Sequence, residues 1–305
     1  MKNWNMLMAA ILLLTAAVFV THSALAKEES MGMTNASLIA SSNNTELVSF
    51  VESAVAYVQK NGKDKALKEF SNKTGTFVRG DRYIYAYDFN GTNVAHPFKP
   101  DWIGKNKLSE IDSNGVQYIR NLINVAKRGE GFNYIIFPNP AHGNRDEFKL
   151  CYLMKVDDNW WLGSGTYLSN MSANFSQESR YNLPNFVETA VKYAKDNGKN
   201  KALKTFDDKN GTFFKKGFYV FALDFAGNYL AHPTRPELIG KNGIDVEDSN
   251  GVKFNQNMID LAKNEGGFTY YIYPDPARNM TPRLKLSYVS KVEDTWWLGA
   301  GIYSS

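Results

Sequence analysis

Residues 88–106 read DFNGTNVAHPFKPDWIGKN, and residues 224–242 read DFAGNYLAHPTRPELIGKN. Outward from these stretches, an offset of 136 holds without insertion or deletion from Leu47/Leu183 to Ser169/Ser305, with 61 identities in 123 aligned positions. Solenoid repeats of roughly 20–50 residues must stack to bury a core, whereas a unit this long buries its own. The chain is therefore two copies of one small domain, at 47–169 and 183–305, joined by a polar connector at 170–182 that reads as flexible. Its function is that of the domain, performed twice. Duplicated recognition modules gain effective concentration or read two ligands, so the arrangement suits binding better than catalysis.

The 305 residues begin with a segment outside this pattern. Lys2 precedes an uncharged apolar run from Met6 to Val20, and Ser23-Ala-Leu-Ala26 places small residues where a signal peptidase reads them. Residues 1–26 are expected to be a signal peptide cleaved before Lys27, with an uncleaved anchor over Met6 to Ala26 as the rival reading. Residues 27–46, rich in Ser, Asn and Ala, read as a linker. Either way the two copies lie outside the cytoplasmic membrane, in the periplasm or secreted, with no membrane insertion once the leader is removed. The formal net charge of +4 falls to +3 without Lys2, too little to suggest a nucleic-acid partner. Cys151, the single cysteine, corresponds to Ser287 in the second copy and reads as a small buried strand residue.

Each copy opens with a helical stripe, Leu47, Phe50, Val51, Ala54, Val55 and Val58, stopped by Asn61-Gly62 and followed by a second short helix at residues 63–70. The period then changes to two. Tyr83, Tyr85 and Tyr87 alternate with Ile84, Ala86 and Asp88, so this strand is covered on both faces. Asn90-Gly91 turns the chain, with Asp88 and Asp224 placed to brace the two turns. Pro97 and Pro100 then force a loop. Asp112-Ser-Asn-Gly115 is expected to cap a helix running to about Arg128, and three strands follow. The result is an α+β domain with an antiparallel sheet of about five or six strands, an N-terminal helix, and a helix over the loops.

The run Tyr83-x-Tyr-x-Tyr-Asp-x-x-Gly, then Ala-His-Pro, then Pro-x-x-Ile-Gly-Lys-Asn resembles the type 2 single Cache domain. So do Gly-Phe-x-Tyr with prolines at 138 and 140, Lys149-x-x-Tyr152, and Trp-x-Gly-x-Gly-x-Tyr167. The resemblance covers both copies and implies two tandem PAS-like Cache domains. It also implies extracytoplasmic sensing of small organic molecules, often short carboxylates, in concert with a membrane receptor or kinase. Two departures stand out. The aromatic residue before the first motif proline is usually Trp in that family and here is Phe137 or Tyr273, and no signalling domain accompanies the copies.

A small carboxylate in a dry pocket needs a cation, one or two neutral donors and aromatic walls. The duplicated candidates are His96/His232, Lys149/Lys285, Tyr134/Tyr270 and Tyr152/Tyr288, with Tyr85 becoming Phe221 in the second copy. Lys149 and Tyr152 have opposite strand parity, so on a regular strand one of them is structural. No catalytic set repeats: among four histidines, His22 lies in the leader and His142 pairs with Arg278. Asp245-Val-Glu-Asp-Ser-Asn-Gly251 fails as a calcium loop because its glycine is one position late and no Glu follows where one is needed. No enzyme, cofactor or metal is expected, and a small organic anion is the expected ligand. The alternatives are a structural or adhesive surface protein with non-binding domains, or a membrane-anchored receptor fragment.

Overall fold

The structure, a computed structural model, describes residues 35–305 apart from 216 and 217. The signal-peptide reading lies outside the described residues. The linker expectation for 27–46 is corrected where it can be tested: a helix α1 already runs from Asn35 to Asn61. Among the described residues, no helix is long and apolar enough to cross a membrane.

In the first copy, α1 and α2 (Lys63–Phe70) precede the short strands β1 (Val78–Arg79) and β2 (Arg82–Tyr83). β3 (Tyr85–Asp88), β4 (Asn93–Ala95), α3 (Tyr118–Lys127), β5 (Glu130–Asn139), β6 (Arg145–Lys155) and β7 (Trp160–Tyr167) follow. The antiparallel sheet has the order β4-β3-β7-β6-β5. The second copy repeats this with α4 (Gln177–Asn197), α5 (Lys199–Phe206), β8 (Phe214–Lys215), β9 (Phe218–Asp224), β10 (Tyr229–Ala231), α6 (Phe254–Lys263), β11 (Gly267–Asp275), β12 (Thr281–Glu293) and β13 (Trp296–Tyr303). Its order is β10-β9-β13-β12-β11, with β8 added beside β9.

Strand parity assigns the faces. Ile84, Ala86, Tyr152, Trp160 and Leu162 pack under Leu47, Phe50, Val51 and Ala54 of α1. Tyr85, Tyr87, Phe137, Cys151 and Trp161 face the other way, under Tyr118, Ile119 and Leu122 of α3. Both faces are covered, as the all-apolar strands require. The turn aspartates act as expected: Asp88 Oδ1 accepts from the N–H groups of Asn90 (2.9 Å) and Thr92 (2.7 Å), and Asp224 Oδ1 does the same for Ala226 and Asn228.

Two expectations are corrected. Asp112 does not cap α3, which begins six residues later, at Tyr118. It braces its own turn through the N–H groups of Asn114 and Val116. The connector 170–182 is not a loose tether. Phe175 is buried, the Ala173 carbonyl accepts from Asn114 Nδ2, the Asn174 carbonyl accepts from the Ser305 N–H, and α4 starts at Gln177. One apolar anchor in a polar run suffices to fasten it.

The copies meet through matching surfaces. Tyr134 Oη donates to Asp248 Oδ2 (3.0 Å) and accepts from Asn250 Nδ2 (2.8 Å). Tyr270 Oη donates to Asp112 Oδ2 and accepts from Asn114 Nδ2, both at 2.9 Å. Each of these residues in one copy is the 136-offset equivalent of its counterpart, so the interface is reciprocal, as across a two-fold axis. Phe148 packs edge-on against Tyr270, and Arg128, just past the end of α3, reaches Asp260 and Asn257 of α6.

Candidate functional site

The loop after β4 carries His96, and the chain holds that loop against its own strand. The Asn93 N–H donates to the Lys105 carbonyl (3.0 Å), the Gly104 N–H donates to the Asn93 carbonyl (2.8 Å), and Asn106 Nδ2 donates to the Asn90 carbonyl (2.7 Å). Gly104 takes φ +80, a left-handed conformation that favours glycine. The Ile-Gly-Lys-Asn run is thus a clamp rather than a ligand contact, and copy 2 repeats it through Lys241, Gly240 and Asn242.

So held, His96 is buried between Tyr83 (ring centroids 5.1 Å apart), Tyr85 (6.3 Å) and Phe137 (5.8 Å). Its Nδ1 accepts the Phe98 N–H at 3.2 Å. Burial first, then the Lys149 and Lys99 charges, hold its pKa well below the usual range, so the ring is neutral. A neutral imidazole whose Nδ1 accepts must carry its proton on Nε2. That N–H has no partner among the described residues and borders a cavity also lined by Tyr85, Tyr118, Phe137 and Lys149.

Lys149, on β6, is fully buried. Its ammonium lies over the rings of Tyr83 (4.1 Å) and Tyr167 (4.5 Å), with Tyr85 and Phe137 beyond at 5.7 and 5.8 Å. Its one hydrogen bond among the described residues is long, 3.5 Å to Tyr167 Oη, whose own proton is given to the Pro138 carbonyl at 2.7 Å. No carboxylate pairs with it among the described residues. Burial lowers its pKa to about 8, which leaves it protonated at neutral pH. The sheet makes room for it with a missing side chain: a Cβ on Gly165 would lie 2.6 Å from Lys149 Cε. That close approach is the physical content of the second glycine in Trp-x-Gly-x-Gly.

The cavity is tight. Its volume is about 10 Å³, about the room that one water needs. A ligand larger than water therefore requires the rings to part.

Of the sequence candidates, the structure brings Tyr85, His96 and Lys149 together in copy 1, and Phe221, His232 and Lys285 in copy 2. The Tyr85 hydroxyl is buried over Gly163 and directed toward the Cys151 thiol, so its ring serves as a wall. Four candidates belong elsewhere. Tyr134 and Tyr270 are the interface tyrosines. Tyr152 faces the α1 side against Phe132, and Tyr288 lies against Phe268 on the corresponding side of copy 2. Both pairs have the parity opposite to Lys149 and Lys285 along their sheets. Tyr83, Tyr87, Tyr118 and Tyr167 were missed as site residues, although the alternation that put Tyr83, Tyr85 and Tyr87 on one face was legible.

A family model described as dCache_2, Cache domain, matches residues 34–305, spanning both copies in a single match. The sensor histidine kinase MctS of Rhizobium johnstonii is 30% identical over 112 residues, which are 36% of this chain and 24% of the kinase. The chain thus spans about a quarter of that relative's length. Among solved structures, a methyl-accepting chemotaxis protein from Vibrio parahaemolyticus matches at 28% identity over 41% of this chain and 88% of its own, with a TM-score of 0.37. The ligand-binding domain of the Pseudomonas fluorescens chemoreceptor CtaA, in complex with L-isoleucine, matches at 10% identity over 87% of this chain and 88% of its own, with a TM-score of 0.28.

Proposed function

The chain belongs to the Cache domain family, and on that premise we propose that it is an extracytoplasmic module that binds and senses a small organic anion, a short carboxylate in size and charge. The observation that carries this reading is Lys149: fully buried, protonated at neutral pH, walled by aromatic rings and without a counter-ion among the described residues. Burying an unpaired charge costs several kcal/mol in general, and a chain that keeps one gains when an anion enters. A carboxylate there accepts from the Lys149 ammonium and from His96 Nε2–H, both charge-assisted bonds. The rings supply a dry wall and no acidic group that would repel it. The module is a binding protein rather than an enzyme. It reports to a membrane receptor or kinase, a role supported by its likeness to part of a sensor kinase.

A second reading, a structural or adhesive surface protein, is favoured by one observation, the small free space between the rings. A melting-temperature screen of the exported chain against acetate, propionate, L-lactate and pyruvate separates the two, because a ligand of the folded state raises the melting point. We expect a rise with at least one of them, lost in Lys149→Met and reduced at least tenfold in affinity in His96→Ala. No rise with any, or a rise that survives Lys149→Met, removes the proposed site. N-terminal sequencing is expected to begin at Lys27, whereas a membrane-bound, uncleaved form favours the anchored receptor fragment.

A further inference from the structure

The two copies keep the same lysine and histidine but treat them differently. The rings around them superpose: His96 and Phe137 lie 5.8 Å apart at 30°, and His232 and Tyr273 lie 5.9 Å apart at 32°. Residue 273 therefore holds its ring where residue 137 holds its own, and adds one hydroxyl. That hydroxyl is 3.1 Å from His232 Nε2, the atom whose counterpart in copy 1 faces the cavity. His232 Nδ1 is engaged by the Thr234 hydroxyl at 3.3 Å, so both ring nitrogens are occupied.

The lysine is held more closely as well. Lys285 Nζ donates to Tyr219 Oη at 3.2 Å, against the single 3.5 Å contact of Lys149. Its charge in turn lowers the Tyr219 pKa against the effect of burial. Tyr271 replaces Ile135 at the cavity wall, and its hydroxyl lies 3.0 Å from Ser287 Oγ, which replaces Cys151. The histidine that copy 1 leaves open to a ligand is therefore engaged at both nitrogens in copy 2, and the lysine is held by a shorter hydrogen bond to a tyrosine of its own copy.

We propose that copy 2 is closed by its own tyrosine hydroxyls, with Tyr273 standing where a ligand oxygen would stand, so that the chain binds one anion, in copy 1. The residue at position 137 or 273 sets whether a copy is open. This rests on the reading of copy 1 as an anion site. The same carboxylate panel tests it by titration calorimetry on the full exported chain, with circular dichroism and melting temperature checking that each variant is folded. The wild type is expected to bind one equivalent. Phe137→Tyr is expected to weaken that binding at least tenfold, and the pair Tyr271→Ile with Tyr273→Phe to add a second equivalent that persists when Lys149→Met removes the first. Two equivalents in the wild type, undiminished affinity in Phe137→Tyr, or no added site in the opened variant each overturn the inference. If the wild type binds none of the panel, the anion reading of copy 1 fails, and one equivalent gained by the opened variant still supports the closure of copy 2, whereas none overturns that too.

Discussion

At the scale of single residues, the central quantity is the charge on Lys149. Its pKa of about 8 in the folded chain lies below the ordinary lysine value of 10.5. The folded state therefore holds fewer protons than the unfolded chain between about pH 8 and 10.5. By linkage, this residue makes the folded state less stable by roughly 3 kcal/mol below about pH 8, and the penalty disappears as pH rises toward 10.5. An anion that pairs with the ammonium reverses the effect by raising that pKa. Carboxylate affinity is accordingly expected to hold steady below about pH 8 and to fall about tenfold per unit above it. Binding near pH 8.5 should take up protons, read as a buffer-dependent heat in calorimetry. An affinity flat from pH 7 to 10 would remove Lys149 as the charge partner. His96 stays neutral throughout, so it contributes a donor and no pH step.

At the scale of elements, β7 is shaped by what β6 carries. A Cβ on Gly165 meets Lys149 Cε and the Leu150 carbonyl oxygen, each at 2.6 Å, and the carbonyl belongs to the backbone of the neighbouring strand, which yields only if the strands shift. Gly165→Ala is expected to destabilise the protein by roughly 1–3 kcal/mol through overpacking and to displace the ammonium. Chemical denaturation reads the first effect and carboxylate affinity the second. An alanine variant with wild-type stability and affinity would mean that the strands separate more readily than their ladder suggests. Gly301 holds the same place against Lys285 in copy 2, with a Cβ 2.6 Å from Lys285 Cε. The clamp that presents His96 is likewise an element-scale device: a loop fastened by backbone hydrogen bonds and one asparagine, not by the histidine itself.

At the scale of the whole molecule, the reciprocal tyrosines join two domains into one folded body. Burial of Asp112 and Asp248 raises both carboxyl pKa values, Asp112 to about 6, against the hydrogen bonds that lower them. Tyr134→Phe deprives Asp248 of a donor, and Tyr270→Phe does the same to Asp112, each expected to cost roughly 1–3 kcal/mol of stability. The two sites lie in one interface, and comparing the double variant with the single ones in denaturant unfolding measures their coupling. Stability unchanged in both single variants would show that apolar contacts alone hold the copies together. The repeat itself was plain in the sequence, and His96 and Lys149 stood among its duplicated candidates. The interface was not, because Tyr134 and Asp248 are 114 residues apart and belong to different copies. A tyrosine kept in both copies reads equally well as a ligand contact or as half of a symmetric junction.

The sequence by itself determined the duplication and the change from helical to strand periodicity, and it put Lys149 and His96 among the candidate residues. These are local or repeated patterns, and parity fixes which strand residues share a face. Only the tertiary structure decided what covers each face. It sent Tyr152 under α1, Tyr134 into the second copy and Tyr83 over the Lys149 ammonium. It also distinguished two pockets that look alike in the sequence. Phe137 and Tyr273 occupy the same place, and the difference of one hydroxyl matters only because His232 Nε2 lies within hydrogen-bonding reach of it. Such a contact joins residues brought together by the fold, across separations that neither periodicity nor spacing along the chain encodes.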